Sequence, residues 1–267
     1  MKVVLFCGGK GTRIRESSGD LPKPLVTIGS RPILWHIMKY YAHFGHKDFI
    51  LCLGYKGEEI KKYFLGYDPC LSTDFTLSNG GKMLHKNESD ISDWNITFAD
   101  TGQIANIGQR LKAVEEYLNA DEMFLANYGD ALSDLNLPEL IGQFEASGKI
   151  GCFVCVKPSQ TFHVISLSEF NTVEKVIHVR DAGIIINGGY FVFRRAVFNY
   201  IKNGEDLVNE PFARLIQEGQ LMGYRYDKFW YCMDTFKEHQ ELNDMYSNGN
   251  APWELWSEPA KATRNLE

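Results

Sequence analysis

Two short segments near the start of the chain combine residue types that bind phosphate. Gly8-Gly9-Lys10-Gly11-Thr12-Arg13 directly follows a short apolar run, and Pro22-Lys23-Pro24 comes soon after it. Glycines allow backbone N–H groups to approach an anion closely, and two prolines hold the lysine on a stiff, extended piece of chain. Together the segments predict a phosphate-binding site, although each one alone also fits an ordinary surface turn.

Two familiar phosphate motifs do not fit this loop. A Walker A loop requires Gly-Lys-Ser/Thr after a longer spacing, and the dinucleotide-binding fingerprint requires a third glycine where Ile14 stands. The missing glycine disfavours an oxidoreductase that binds a nicotinamide or flavin cofactor on a Rossmann fold.

The amino-acid composition argues against several classes of protein. The chain has 267 residues, of which 44% are apolar and 23% charged, as expected of a soluble globular protein. A net charge of −6 argues against a general nucleic-acid-binding protein. The sequence contains no apolar run long enough to span a membrane and no signal peptide, so it predicts a cytoplasmic location without a membrane partner.

Alternating strand and helix patterns position the phosphate-binding segments. Strand-like runs at 3–7, 48–53, 96–99 and 123–128 alternate with helical patterns at 33–41, 58–64, 110–118 and 138–146. They predict an α/β, Rossmann-like fold with a mostly parallel central sheet and helices on both faces. Closely spaced strand-like runs after Gly148 predict a smaller antiparallel insertion. We expect a single domain over residues 1–256, a loop with one hairpin at 72–93, and a polar tail at 257–267.

The two segments and their order resemble the signature of the sugar-1-phosphate nucleotidyltransferase family. Further motifs along nearly the whole chain are similar to the glucose-1-phosphate cytidylyltransferase branch of that family. They occupy residues 33–39, 54–57, 100–102, 110–112, 128–130, 187–189, 233–235 and 251–253.

The resemblance implies a direct transfer between two phosphorylated substrates. A phosphate oxygen of glucose 1-phosphate, or of a related phosphorylated acceptor, attacks the α-phosphorus of CTP, and pyrophosphate leaves. Such a reaction needs no enzyme nucleophile, because positioning and neutralisation of phosphate charge are sufficient. UTP or dTTP in place of CTP, and a non-sugar phosphate as acceptor, stay open. The resemblance also implies a homo-oligomer, for which Trp230, Trp253 and Trp256 are candidate interface residues.

The resemblance further implies a role for each matched residue. Arg13 and Lys23 are the expected catalytic residues, since Arg13 would hold the leaving β- and γ-phosphates and Lys23 would lie near the α-phosphate. Asp130 and Asp234 are the expected ligands of Mg²⁺, which prefers hard oxygen donors. The expected nucleotide-binding residues are Gly8, Gly9, Gly11, Thr12, Arg13, Lys23, Thr101, Arg110 and Tyr128, and the expected acceptor-binding residues are Arg180, Asn187, Gly188 and Glu210.

The chain departs from the family pattern on the acceptor side. The family carries Glu-Lys-Pro shortly before Asn-Gly-Gly, and here residues 176–182 lack it. Arg180 is therefore the candidate replacement cation, although a guanidinium fork differs in geometry from an ammonium. His163 stands where the family often has glycine, and its role stays open. A non-catalytic nucleotide-binding protein is the alternative outside the class, but it predicts loss of charged residues that this chain retains.

Overall fold

The computed structural model describes residues 1–9, 21–72, 74–78, 82–85, 89–118 and 120–257. Four predicted phosphate-loop residues, Lys10, Gly11, Thr12 and Arg13, lie outside the described residues, as does nearly all of the predicted polar tail.

Strands and helices alternate through the first half of the chain. The described strands are β1 (Val3–Phe6), β2 (Thr27–Ile28), β3 (Arg31–Pro32), β4 (Asp48–Leu53), β5 (Phe75–Ser78), β6 (Lys82–His85), β7 (Asn95–Asp100), β8 (Met123–Asn127), β9 (Ala131–Ser133), β10 (Gly151–Val156), β11 (His163–Leu167), β12 (Val173–His178), β13 (Ile186–Arg194), β14 (Leu221–Arg225) and β15 (Trp230–Cys232). The described α-helices are α1 (Ile33–His43), α2 (Gly57–Leu65), α3 (Ile107–Ala113), α4 (Leu137–Ser147), α5 (Glu210–Gln217) and α6 (Phe236–Ser247). Short 3₁₀ helices include Lys23–Leu25, Glu115–Leu118 and Arg195–Tyr200.

Seven strands form one central sheet in the order β14-β10-β13-β8-β1-β4-β7. Strand β13 runs antiparallel to both of its neighbours, and the other pairings in this sheet are parallel. Strands β11 and β12 form a separate antiparallel ribbon, and β5 and β6 form the hairpin expected in the 72–93 segment. The mostly parallel sheet and the small antiparallel insertion are thus confirmed.

The central sheet is covered on both faces. Alternation along β1 sends Val3 and Leu5 into one hydrophobic cluster and Val4 and Phe6 into the other. Helices α1, α2, α4 and α6 pack on the first face, whereas α3 and α5 pack on the second. The prediction of helices on both faces is therefore confirmed. Within the part of the chain that the structure describes, none of the helices has the length and apolar character needed to cross a membrane.

One helix begins and ends earlier than its sequence pattern indicates. The apolar periodicity predicted a helix over 110–118, but α3 starts at Ile107 and stops at Ala113, and a 3₁₀ helix follows. Asn106 sets the start, because its side chain accepts a hydrogen bond from Gln109 N while the Gln109 side chain accepts one from Asn106 N. This reciprocal cap satisfies two backbone donors at the helix N-terminus.

Trp253 packs inside its own chain, so its assignment to a subunit interface is wrong. Its side chain is 1% exposed, and its ring stacks on Phe229 with a centroid separation of 5.7 Å. The indole N–H donates to Nδ1 of His36 in α1 at 3.3 Å. These contacts hold the segment after α6 against the first face of the sheet.

Candidate active site

The candidate site lies where parallel strands of the central sheet end. Gly8 and Gly9 follow β1, Gly54 follows β4, and Thr101 follows β7. Tyr128 directly follows β8, which is the neighbour of β1 on the other side. Ligands of open α/β sheets bind outside the carboxyl ends of the strands, so the predicted nucleotide-binding residues lie at the edge where such a ligand would bind.

Lys23, Asp130 and Asp234 meet at this edge. Nζ of Lys23 donates to Oδ2 of Asp130 at 2.8 Å and to Oδ1 of Asp234 at 2.6 Å. The two aspartates are brought together because β9 pairs with β15, so that Ala131 lies opposite Cys232. The family resemblance predicted all three residues, and the structure brings both carboxylates into contact with the lysine.

The ammonium of Lys23 keeps its charge in this environment. Only 14% of its side chain is exposed. Burial by itself lowers the pKa of Lys23, but Asp130, Cys232 and Asp234 raise it, and the net result is a pKa above the usual range for lysine. A fixed positive charge is therefore present beside the two carboxylates at every pH at which the protein is expected to work.

The carboxylates of Asp130 and Asp234 fit a hard divalent cation. Their oxygen atoms and Sγ of Cys232 all lie within 4.8 Å of one another, and the two carboxylates already bind one cation, the lysine ammonium. The thiol of Cys232 is a soft donor, which a hard cation disfavours as a ligand. Oxygen donors are those that Mg²⁺ prefers, and the assignment of Mg²⁺ to this pair stays a prediction.

Arg110 holds three strand ends together. Its Nη1 contacts Leu53 O at 3.0 Å, Thr101 Oγ1 at 2.8 Å and Gly102 O at 2.9 Å, and its Nη2 donates to Gly8 O at 3.1 Å. Only 3% of the residue is exposed. Sequence reasoning placed Arg110 and Thr101 among the residues that bind the nucleotide. In the structure both side chains are engaged with each other and with backbone oxygens, and their contact with nucleotide stays a prediction.

The position of Arg110 explains why two nearby residues are glycines without a side chain. A Cβ at Gly8 would lie 2.1 Å from Nη1 of Arg110, and a Cβ at Gly54 would lie 2.7 Å from the same atom. Among the residues that the structure describes, a Cβ at Gly9 would meet nothing within 4 Å. The guanidinium thus excludes a side chain at Gly8, and at Gly54 it does so together with Gly8 O, which would lie 2.8 Å from the added Cβ.

A cavity of about 340 Å³ opens beside the first strand. Its wall includes five of the predicted site residues: Gly8, Gly9, Arg110, Tyr128 and Asp130. It also includes Asp206, which the sequence analysis missed. Asp206 lies in the loop between the 3₁₀ helix Arg195–Tyr200 and α5, where no motif or periodicity distinguishes it from a solvated loop residue.

The predicted acceptor residues Asn187 and Gly188 adjoin this cavity. Nδ2 of Asn187 donates to Oη of Tyr128 at 3.1 Å. The indole N–H of Trp230 donates to Gly188 O at 2.8 Å. The two motifs, 128–130 and 187–189, therefore form one continuous surface, because their strands β8 and β13 are neighbours in the sheet.

Arg180 belongs to a second, smaller cavity. This cavity measures about 170 Å³ and includes Trp230 in its wall, which connects it to Gly188. Lys157 and Lys228 line it together with Arg180, and Asp227 contributes one carboxylate, so the charged groups in its wall are mainly cationic. Sequence reasoning named Arg180 and missed the two lysines, of which Lys157 immediately follows β10.

The structure places Glu210 on the exposed surface of α5. It is the exposed first residue of α5 and is not among the described residues that line either cavity. Helix α5 buries Pro211, Phe212 and Leu215 and leaves Glu210 facing solvent. The structure therefore gives no support to the predicted role of Glu210 as a ligand of acceptor hydroxyls.

Comparison with known proteins indicates a nucleotidyl transferase family and a similar fold. The Nucleotidyl transferase family profile matches residues 2–247. Glucose-1-phosphate cytidylyltransferases from Salmonella typhi and Salmonella typhimurium are each 38% identical over 257 residues, covering 96% of this chain and 100% of the relative. A solved structure of UDP-glucose pyrophosphorylase complexed with UDP-glucose has a similar fold, with a TM-score of 0.67 and 12% identity over 93% of this chain and 98% of that one.

Proposed function

Because this chain belongs to the nucleotidyl transferase family, we propose that it transfers the cytidylyl group of CTP to glucose 1-phosphate and releases pyrophosphate. The observation that carries the proposal is the meeting of Lys23, Asp130 and Asp234 beside the cavity that begins at Gly8. The choice of substrates is supported by the two Salmonella enzymes, whose whole length is matched.

The residues of the site suit a direct displacement at phosphorus. A phosphate oxygen of the acceptor attacks the α-phosphorus of CTP, one new P–O bond forms, and the bond to the pyrophosphate group breaks. Lys23 neutralises charge on the α-phosphate, and the backbone N–H groups of Gly8 and Gly9 donate hydrogen bonds to phosphate oxygens. Mg²⁺ held by Asp130 and Asp234 would supply Lewis-acid neutralisation of the phosphate oxygens. Arg13, which lies outside the described residues, stays the predicted ligand of the leaving phosphates.

The second cavity suits the acceptor phosphate. Arg180, Lys157 and Lys228 offer the cationic groups that a phosphate requires, and Trp230 connects them to Gly188. Asn187 offers both donor and acceptor groups for sugar hydroxyls. This arrangement compensates for the missing Glu-Lys-Pro motif, and it supports a sugar phosphate over an uncharged acceptor.

The proposal is tested by measuring pyrophosphate release in the presence of Mg²⁺. CTP, UTP, dTTP, ATP and GTP are each combined with glucose 1-phosphate, other hexose 1-phosphates and non-sugar phosphates. We expect turnover to be greatest with CTP and glucose 1-phosphate and to be abolished in Asp130→Asn. Turnover with CTP and a different phosphate would overturn the acceptor assignment alone. Absence of turnover with every pair would favour a non-catalytic nucleotide-binding protein.

Two further properties complete the proposal. We expect the chain to act in the cytoplasm and to form a homo-oligomer, as its sequence predicts. Sedimentation velocity over a range of protein concentrations tests the second expectation, and a single species with the 30.5 kDa mass of one chain would contradict it.

A further inference from the structure

The antiparallel ribbon of β11 and β12 carries a strip of exposed aliphatic side chains. Ile165 lies opposite Val176 in the register of the two strands, and Leu167 lies opposite Val173 across a bulge. Directly opposite residues project on the same face of a ribbon, and so do residues two apart in one strand. These four side chains therefore form one strip, called the ribbon strip below, and each of them is between 55% and 58% exposed.

Two aromatic residues add to the exposed apolar surface of this part of the chain. Phe162 directly precedes β11 and is 57% exposed, and Phe170 lies in the turn between the strands and is 88% exposed. Together with the ribbon strip they present several hundred Å² of apolar surface. Monomeric proteins rarely expose contiguous apolar patches of that size unless the patch binds a partner.

The other face of the ribbon is better covered. Val164 lies opposite Ile177 on that face, and both residues are half-buried. Among the strands that the structure describes, β11 and β12 pair only with each other. A two-stranded ribbon is only marginally stable in water and needs a further layer packed against it. The ribbon strip is thus the face on which a partner would supply that layer.

We propose that the ribbon strip packs against the ribbon strip of a second copy of this chain. Two-fold symmetry places the same patch of both copies in contact, so the patch must be complementary to itself. The ribbon strip meets this requirement, because all four of its residues are aliphatic and symmetry brings no charge against its like. This surface differs from Trp230 and Trp256, the remaining interface candidates of the sequence analysis.

The size and composition of the surface favour a second copy over an unrelated protein. Each partner contributes about 800 Å² to a standard interface, and the ribbon strip with its two phenylalanines supplies much of that area. Homodimer interfaces are more apolar than transient ones, whose partners are selected by complementary charge. A strip without charged residues specifies no oppositely charged partner. The inference rests on the homo-oligomer expected under the proposed function, and it names the surface through which that oligomer forms.

Sedimentation velocity of matched variants tests the inference without any substrate. Leu167→Glu and Val176→Glu each bring like charges together in a two-fold interface. We expect each to raise the dissociation constant of the oligomer by about 100-fold or more, because juxtaposed like charges oppose association strongly. Leu65→Glu is the matched control and should sediment as the unmodified protein does, since Leu65 is 86% exposed at the end of α2, outside the ribbon.

Further variants separate loss of the interface from loss of the fold. Leu167→Glu and Leu167→Lys should each dissociate alone and should form a mixed oligomer when combined in equal amounts, because opposite charges then meet across the interface. Ile165→Thr keeps a branched side chain suited to a strand and should weaken the oligomer by about ten-fold, which provides a test that does not depend on a charged variant. Thermal melting shows whether each variant is folded at the temperature of the experiment.

Each of three results would contradict the inference. An unmodified protein that sediments as a single species of 30.5 kDa at every concentration would overturn it together with the expected homo-oligomer. Ribbon variants that assemble as tightly as the unmodified protein would overturn the inference alone. Folded Leu167→Glu and Leu167→Lys variants that stay dissociated when mixed would show that the two strips do not face each other. Because no substrate is present, failure of turnover with glucose 1-phosphate would count against the proposed reaction and leave this test intact.

Discussion

Lys23 holds its ammonium between two carboxylates from distant parts of the chain. We expect Lys23→Met to lower kcat by about 10²–10³-fold, because one preorganised charge at a transition state is typically worth that much. Lys62→Met is the matched control, since Lys62 is exposed and pairs with Glu59 in α2. A kcat in Lys23→Met within about three-fold of the unmodified enzyme would show that the ammonium takes no part in the reaction.

The raised pKa of Lys23 predicts the direction in which stability and activity change as pH rises. A lysine whose pKa is higher in the folded protein stabilises it fully below the unfolded value of about 10.4, and this contribution is lost as pH rises through the folded value. We therefore expect the pH–rate profile to show no loss of activity from lysine deprotonation between about pH 7 and pH 10. An alkaline limb in that range that disappears in Lys23→Arg would contradict this expectation.

Substitutions in the second, smaller cavity test whether binding of glucose 1-phosphate can be weakened without weakening the binding of CTP. Arg180→Ala and Lys157→Ala each remove one cation from a wall that contains neither Gly8 nor Asp130. We expect each to raise the KM for glucose 1-phosphate by about ten-fold, the usual value of a charge-assisted hydrogen bond, and to leave the KM for CTP nearly unchanged. Steady-state kinetics with either substrate varied provides the measurement. An unchanged acceptor KM in both variants would remove these residues from the acceptor site.

At the scale of elements, Arg110 adds side-chain hydrogen bonds to the backbone hydrogen bonds that already join the ends of β1, β4 and β7. Gly8→Ala forces a methyl group into the guanidinium, whereas the methyl group of Gly9→Ala meets none of the described residues within 4 Å. We expect Gly8→Ala to destabilise the protein by about 1–3 kcal/mol, as overpacking does, and Gly9→Ala to change stability by much less. Chemical denaturation of the two variants compares them directly.

A double-mutant cycle tests whether the guanidinium causes this effect. Arg110→Ala removes the donor that Gly102 O has among the described residues, whereas Leu53 O and Gly8 O keep bonds from Thr101 N and Tyr55 N. The substitution should itself cost about 1–3 kcal/mol. It also removes the atoms that a methyl group at position 8 would meet, so Gly8→Ala should cost little in the Arg110→Ala background. Additive effects of the two substitutions would mean that Gly8 is required for another reason.

The elements also show what the sequence could predict. A continuous apolar run located β4, which is buried on both faces, and an apolar period located α4, which buries one face. Strands β9 and β15 were not predicted, since three residues carry no period and their pairing joins segments far apart in the chain. That pairing brings Asp130 to Asp234, so the sequence predicted these two residues as metal ligands only by resemblance. Asp206 carries no sequence signal, because only the fold places it in the wall of the larger cavity.

At the scale of the whole molecule, His36 links the C-terminal segment to the core. Its ring is 1% exposed, Nε2 contacts Ile28 O at 3.0 Å, and Nδ1 contacts the indole N–H of Trp253. An indole nitrogen only donates, so Nδ1 must accept and the ring must be neutral. Burial lowers the pKa of His36 to about 4, in agreement with this arrangement.

The buried neutral ring predicts that the whole fold weakens in mild acid. A histidine whose pKa is lower in the folded protein stabilises it fully above the unfolded value of about 6.5, and this contribution is lost as pH falls toward about 4. The shift corresponds to about 3 kcal/mol of unfolding free energy across that interval. Denaturant unfolding between pH 7 and pH 4.5 should therefore show a shallower loss of stability in His36→Gln than in the unmodified protein. His43→Gln, an exposed substitution in the same helix α1, should keep the original slope, and equal slopes in all three proteins would show that protonation of His36 does not limit stability.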